Sequence, residues 1–172
     1  ESYDKGLYAA LREDPDVILI GEMRDPATIE TALMAAETGH LVFSTIHTNS
    51  AIDSIDRIVG VFPEDKQPQI RMQLSMTLRA VLSQQLVPRA GGKGRAAACE
   101  LMMLTPAIRN LIRDGKTPQM QSYLLSSAKE GSITMDNFLI RMAKEGVITP
   151  QTAVDASQDP QELREKLAAV QY

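Results

Sequence analysis

Hydrophobic positions along this chain change their period several times, and each change marks an element. Helical spacing over Tyr3, Leu7, Ala10 and Leu11 gives way at Pro15 to a continuous apolar run, Val17-Ile18-Leu19-Ile20, closed by Gly21. So short a run predicts a strand buried on both faces, as in a parallel sheet. After Asp25-Pro26, with proline at a favourable first helical position, Ile29, Ala32, Leu33 and Ala36 mark one face of a helix ending at Gly39. A second apolar run, Leu41 to Ile46, predicts another buried strand. Strand, helix and strand in that order form a crossover unit, so the two strands are parallel neighbours or near-neighbours whose C-terminal ends open onto one edge.

Further helices are predicted at about Ala51 to Val59 and Lys66 to Ser83. Two strand candidates, Gln85 to Pro88 and Ala96 to Met102, flank the turn Ala90-Gly91-Gly92-Lys93-Gly94 and read as a hairpin. From Thr105 onward the pattern changes to short helices separated by Gly115, Gly131, Gly146 and Pro160, with no further strand. The last, about Gln161 to Ala169, follows an N-cap and first-position pair, Asp159-Pro160. The fold class expected is therefore α/β, a parallel sheet with flanking helices over residues 1–104, then a helical region over 105–172.

Composition narrows the function. The 172 residues are 44% hydrophobic and 23% charged, which suits a soluble domain with a core. A net charge of -4 without a Lys/Arg block argues against non-specific nucleic-acid binding. One cysteine, Cys99, forms no internal disulfide, and with two histidines the chain builds no Cys-rich zinc site. This suits a reducing cytoplasm. No apolar run approaches the roughly 18 to 20 residues of a membrane span. The chain begins without a Met and enters a helical pattern at once, so it is expected to start inside a larger protein.

The first strand delivers a carboxylate, Glu22, just beyond its C-terminal end, where ligands bind in open α/β sheets. In a nucleotide hydrolase such an acid holds the hydration shell of magnesium or polarises the attacking water; the alternative is a cap for the next helix. The second strand ends in His47-Thr48-Asn49-Ser50, a polar cluster on the same edge. His47 faces the proposed crevice, either to hydrogen-bond a terminal phosphate or as an ordinary satisfied polar residue. His40 starts the same strand, and about 23 Å of extended chain separates the two histidines, too far to share a metal ion or one phosphate; His40 reads as structural. The glycine and lysine cluster Ala90 to Arg95 is not a phosphate-binding loop. Lys93 is followed by Gly94 and a strand, not by Ser or Thr and a helix.

Taken together, Leu11-Arg-Glu-Asp-Pro-Asp-Val-Ile-Leu-Ile-Gly-Glu-Met-Arg-Asp25 and Thr38-Gly-His-Leu-Val-Phe-Ser-Thr-Ile-His-Thr48 resemble the Walker B and His boxes of the secretion ATPase superfamily. The resemblance implies a RecA-like P-loop NTPase core, present here in part, with ATP and magnesium as cofactors. It gives Glu22 the Walker B acid role, with magnesium held through water, and puts His47 near the terminal phosphate. Arg57, in Asp53-Ser-Ile-Asp-Arg57, approaches nucleotide or a subunit boundary by the same likeness; read alone it is equally a solvated helix arginine. The family's PAS-like domain, Walker A loop and Asp box precede the segment present here. The chain alone is therefore expected to show negligible ATPase activity, and the water-activating base is to be sought in the Asp box as well as at Glu22.

Ala107-Ile-Arg-Asn-Leu-Ile-Arg-Asp114 looks like the signature of the superfamily's type IV pilus retraction branch, as does Gly21-Glu-Met-Arg24. Asp114 stands where Glu is commoner. Read physically, Ile108, Leu111 and Ile112 form an apolar face of one helix, while Arg109, Asn110 and Arg113 project from the other. That pattern fits a packed surface helix; the resemblance adds a coupling role for Ala107 through Asp114. Assembly and type II secretion members usually insert a four-cysteine zinc module after the region of Gln84 to Pro88, which this chain lacks. The implied function is a hexameric motor that hydrolyses ATP to retract pili and drive twitching motility. Its implied partners are further copies of itself and an inner-membrane pilus platform protein, with the motor in the cytoplasm at the membrane base of that machine. An assembly or secretion motor, and a non-catalytic interaction or regulatory domain, are the alternatives.

Overall fold

The computed structural model describes residues 3–169; the side chains of Tyr3 and Leu7, part of the opening helical spacing, lie outside the described residues. The chain is α/β and packs as two compact units. In chain order the boundary expected near residue 104 follows the hairpin; in packing, Leu104–Met120 joins the first unit and Ala80–Met103 the second.

The first unit holds the described residues up to Thr48, with Ile52–Arg79 and Leu104–Met120. It opens with α1 (Tyr3–Ala10), β1 (Val17–Ile20), α2 (Pro26–Glu37) and β2 (Leu41–Ser44). The two strands pair in parallel, Val17 opposite Leu41 through Ile20 opposite Ser44, as the crossover pattern requires. Asp25 caps α2 by accepting the Thr28 N–H at 2.9 Å, and Pro26 sits at the first turn, where no N–H is needed. Ile18 and Ile20 bury against Ala32 and Ala35 of α2, with Leu11, Met23 and Val42 packed around them.

The expectation of burial on both sheet faces is corrected. Leu19 is 76% exposed and Phe43 54%, and Val17 and Leu41 share their open face. Helix α2 covers one side, and among the described residues the other side stays uncovered, so the strands alternate buried and open despite an unbroken apolar run. The second strand also stops at Ser44, short of the expected Ile46.

Helix α3 (Ala51–Gly60) lies where expected, but α4 (Gln67–Thr77) ends six residues before the predicted Ser83. Leu78 leaves the helix at φ -62 and ψ 135, and from Ala80 the backbone pairs with a distant strand instead. Apolar spacing that suited a helix is overridden by that long-range pairing. Helix α5 (Pro106–Arg113) starts at Thr105, whose hydroxyl accepts the Ile108 N–H at 3.3 Å, and ends before Gly115 at φ 69.

In the second unit β3 (Ala80–Pro88) and β4 (Arg95–Met103) form the expected hairpin, longer than predicted at both outer ends. Gly92 and Gly94 turn the chain at φ 71 and 75, values that side-chain-bearing residues rarely adopt. Helices α6 (Met120–Ser126), α7 (Met135–Lys144), α8 (Pro150–Ala156) and α9 (Pro160–Ala169) follow. Thr134, Thr149 and Asp159 cap the last three through side-chain oxygens. Val87 and Ala98 of the hairpin share a core with Leu139, Ala153 and Leu163, which is why the hairpin belongs with the later helices. No described helix is long and apolar enough to cross a membrane.

Candidate functional site

Past their last paired residues β1 and β2 stay tied by irregular bonds. The Met23 N–H donates to the Thr45 carbonyl at 3.0 Å, and the Thr45 hydroxyl donates to the Gly21 carbonyl. These bonds bring the segment after β1 alongside the segment after β2, so Glu22 meets His47. His47 Nε2 lies 3.3 Å from Glu22 Oε1, and it donates there whenever that nitrogen carries the proton. Glu22 Oε2 accepts from Arg24 through Nε at 2.6 Å and Nη2 at 2.5 Å.

The carboxylate is the inner member of this group: the Glu22 side chain is 23% exposed, that of His47 83%. The hydrogen bonding of Arg24 to a single Glu22 oxygen holds the Glu22 carboxyl below its ordinary range, with partial desolvation opposing it and the nearby charges of Arg24 and His47 acting the same way as the hydrogen bond. Arg57, from α3, joins Glu22, Met23, Arg24, Ile46 and His47 in lining an open cleft of about 310 Å³. Three sequence candidates, Glu22, His47 and Arg57, therefore share one site.

Of the two readings of Glu22, the helix cap is excluded. Asp25 takes that role with both oxygens, accepting the Thr28 N–H and its hydroxyl at 3.0 Å, and the backbone N–H lowers its pKa. His40 is structural, as expected. Its Nδ1 lies 2.9 Å from the Ala35 carbonyl and 3.1 Å from the Thr38 hydroxyl, closing the end of α2.

Residues Ala107 to Asp114 do not line the cleft. Ile108, Leu111 and Ile112 are buried and Asn110 and Arg113 exposed, as the helical pattern predicts. Arg109 is the exception. It donates from Nη1 to the Ser75 carbonyl at 2.6 Å and the Met76 carbonyl at 3.3 Å, so it closes the last turn of α4 instead of pointing into solvent. Desolvation, then the nearby charge of Arg79, lowers its pKa. Arg24 was missed as a member of the site; its spacing of two from Glu22 in an extended segment was the available signal, since residues i and i+2 share a side.

One carboxylate among two arginines and a histidine offers cationic groups to an anion and a fixed negative charge to water beside it. Among the described residues no three His, Cys, Asp or Glu side chains converge as a metal cage. Glu22 therefore fits magnesium only as a lone carboxylate facing a hydrated ion, the common way in which that ion meets protein.

A family model described as Type II/IV secretion system protein matches residues 2–154. A twitching motility protein of Neisseria gonorrhoeae is 48% identical over 162 residues, 94% of this chain and 43% of that protein. The type IV pilus retractation ATPase PilT of Pseudomonas aeruginosa is 48% identical over 159 residues, 92% of this chain and 46% of that protein. A crystal structure of the pilus retraction motor PilT with bound ADP superposes with a TM-score of 0.85 at 52% identity, over 96% of this chain and 46% of that one. The chain thus spans less than half the length of these relatives.

Proposed function

This chain belongs to the Type II/IV secretion system protein family, and from that membership we propose that it is the later portion of a hexameric ATPase motor for type IV pilus retraction and twitching motility. The observation that carries the proposal is the meeting of Glu22 and His47 at 3.3 Å beyond parallel strands, in a cleft that Arg57 also lines. Glu22 serves as the Walker B acid and holds water in place next to the terminal phosphate. His47 faces that phosphate as a hydrogen-bonding sensor, and Arg57 approaches nucleotide or a neighbouring subunit. Glu22 would hold magnesium through its water shell, and the ion would supply charge neutralisation at the phosphates. In this reading 1–104 is the later part of the RecA-like core and 105–172 the helical region, whose Ala107, Ile108, Arg109, Asn110, Leu111, Ile112, Arg113 and Asp114 couple nucleotide state to movement.

Two features support a longer core and a retraction role. The uncovered apolar face of β1 and β2 suits the sheet of a longer core whose further elements pack over that side, since so much exposed hydrophobic surface is otherwise costly. The direct turn from β3 to β4 leaves no inserted module between them, which favours retraction over assembly or secretion. The partners in this reading are identical subunits and an inner-membrane platform protein, with the motor cytoplasmic at the base of the pilus.

The first test is the chain by itself. With no Gly-x-x-x-x-Gly-Lys loop in its sequence, it is expected to bind ATP weakly and to turn it over negligibly in a magnesium-dependent phosphate-release assay. Robust turnover by the 172 residues alone contradicts the proposal.

A further inference from the structure

The motif helix α5 stands outside the cleft, yet polar contacts at both of its ends lead back to α3, which carries Arg57. At its first end, Arg109 closes the last turn of α4 through the carbonyls of Ser75 and Met76. One turn earlier on α4, Arg71 Nη2 approaches Asp56 Oδ1 of α3 at 3.9 Å. The Arg71 side chain also lies beside Gly115, just past the motif, where an added Cβ would meet its Nε at 3.7 Å. At the second end, the Thr117 hydroxyl donates to Asp56 Oδ2 at 3.1 Å. Asp56 thus receives one contact from α4 and one from the segment leaving α5, and it is the residue before Arg57.

The Arg71 guanidinium is largely buried: Nη1 meets no acceptor among the described residues, and Nη2 is the nitrogen that faces Asp56. Helix α3 is a continuous ten-residue element, and a displacement of Asp56 carries Arg57 with it.

We infer that Asp56 is a positioning residue through which the motif helix, by way of Thr117 and of Arg109 and Arg71, sets the place of Arg57 in the cleft. The mechanical link stands on these contacts; its effect on turnover rests on the proposed function.

In the 172-residue chain, the Arg57 Nε–Hε resonance is followed by NMR. Thr117→Val, which keeps the shape and removes the hydroxyl, moves that resonance, and Thr117→Ser restores it. Arg109→Gln moves it in the unsubstituted chain and leaves it still when Asp56→Asn is also present. An Arg57 signal indifferent to Thr117→Val, or a response to Arg109→Gln that survives Asp56→Asn, overturns the inference. Asp56 is 52% exposed, so its variant is expected to fold. In the longer protein, Asp56→Asn lowers kcat by roughly fivefold or more while KM for ATP stays within about twofold, the size of a typical coupling between sites; an unchanged kcat overturns the extension to turnover. Absence of ATPase activity in the unsubstituted longer protein would refute the proposed function and leave the NMR result standing.

Discussion

Replacing Ile108 by alanine separates the packing role of the motif helix from its exposed face. Ile108 has no solvent exposure and lies in the first unit beside Leu111 and Ile112. The substitution removes three carbons, and at about 0.8 kcal/mol each the lost transfer energy is about 2.5 kcal/mol. The unfilled cavity brings the cost to about 3–4 kcal/mol, within the range for such truncations. For a chain of this size each kcal/mol lowers Tm by about 2–4 °C, so Ile108→Ala is expected to melt about 6–16 °C lower. Asn110, two residues on and exposed, is expected to tolerate alanine within about 0.5 kcal/mol. Thermal unfolding followed by far-ultraviolet circular dichroism measures both. Equal shifts for the two variants, or an Ile108→Ala protein that melts with the parent, would refute the packing assigned to α5.

Two further predictions concern the acidic side chains near the cleft. Arg24→Gln removes the bond that depresses the Glu22 carboxyl, so the pH at which Glu22 protonates rises, measured by carboxyl-carbon NMR during acid titration; an unmoved midpoint refutes the pairing. The sign for stability follows: the pair contributes above the unfolded glutamate value, and its contribution is lost as pH falls through the lower folded value. Asp25→Ala takes away the cap of α2 and is expected to cost about 0.5–2 kcal/mol in urea unfolding, whereas Asp25→Asn, still an acceptor, costs less. Indistinguishable alanine and asparagine variants would remove that role from Asp25.

Local signals carried much of this architecture. The run from Val17 to Ile20, the pair Asp25-Pro26 and the turn at Gly92 and Gly94 each specify their own geometry within a few residues, and each element lies where the sequence places it. What failed depends on distant partners. Residues 80 to 83 have helical spacing, but their pairing with residues about twenty positions away decides their state. Burial of Leu19 and Phe43 depends on what covers the sheet, which an apolar run does not encode. Arg109 reads as a surface charge until the end of α4 is known to lie within its reach. At the cleft, Glu22 and His47 were visible as polar residues at two strand ends, because parallel pairing brings such ends together. Arg24 was not, since whether an arginine folds back onto a neighbouring carboxylate depends on side-chain conformation.

The role proposed for the cleft turns on Glu22 acting at the hydrolysis step. Its most direct test is Glu22→Gln in the longer protein, with nucleotide affinity and steady-state ATP turnover measured on the same preparation. The substitution preserves shape and removes the charge. Nucleotide binding is expected to be retained with turnover nearly abolished; turnover equal to that of the unsubstituted protein takes the hydrolytic role away from Glu22.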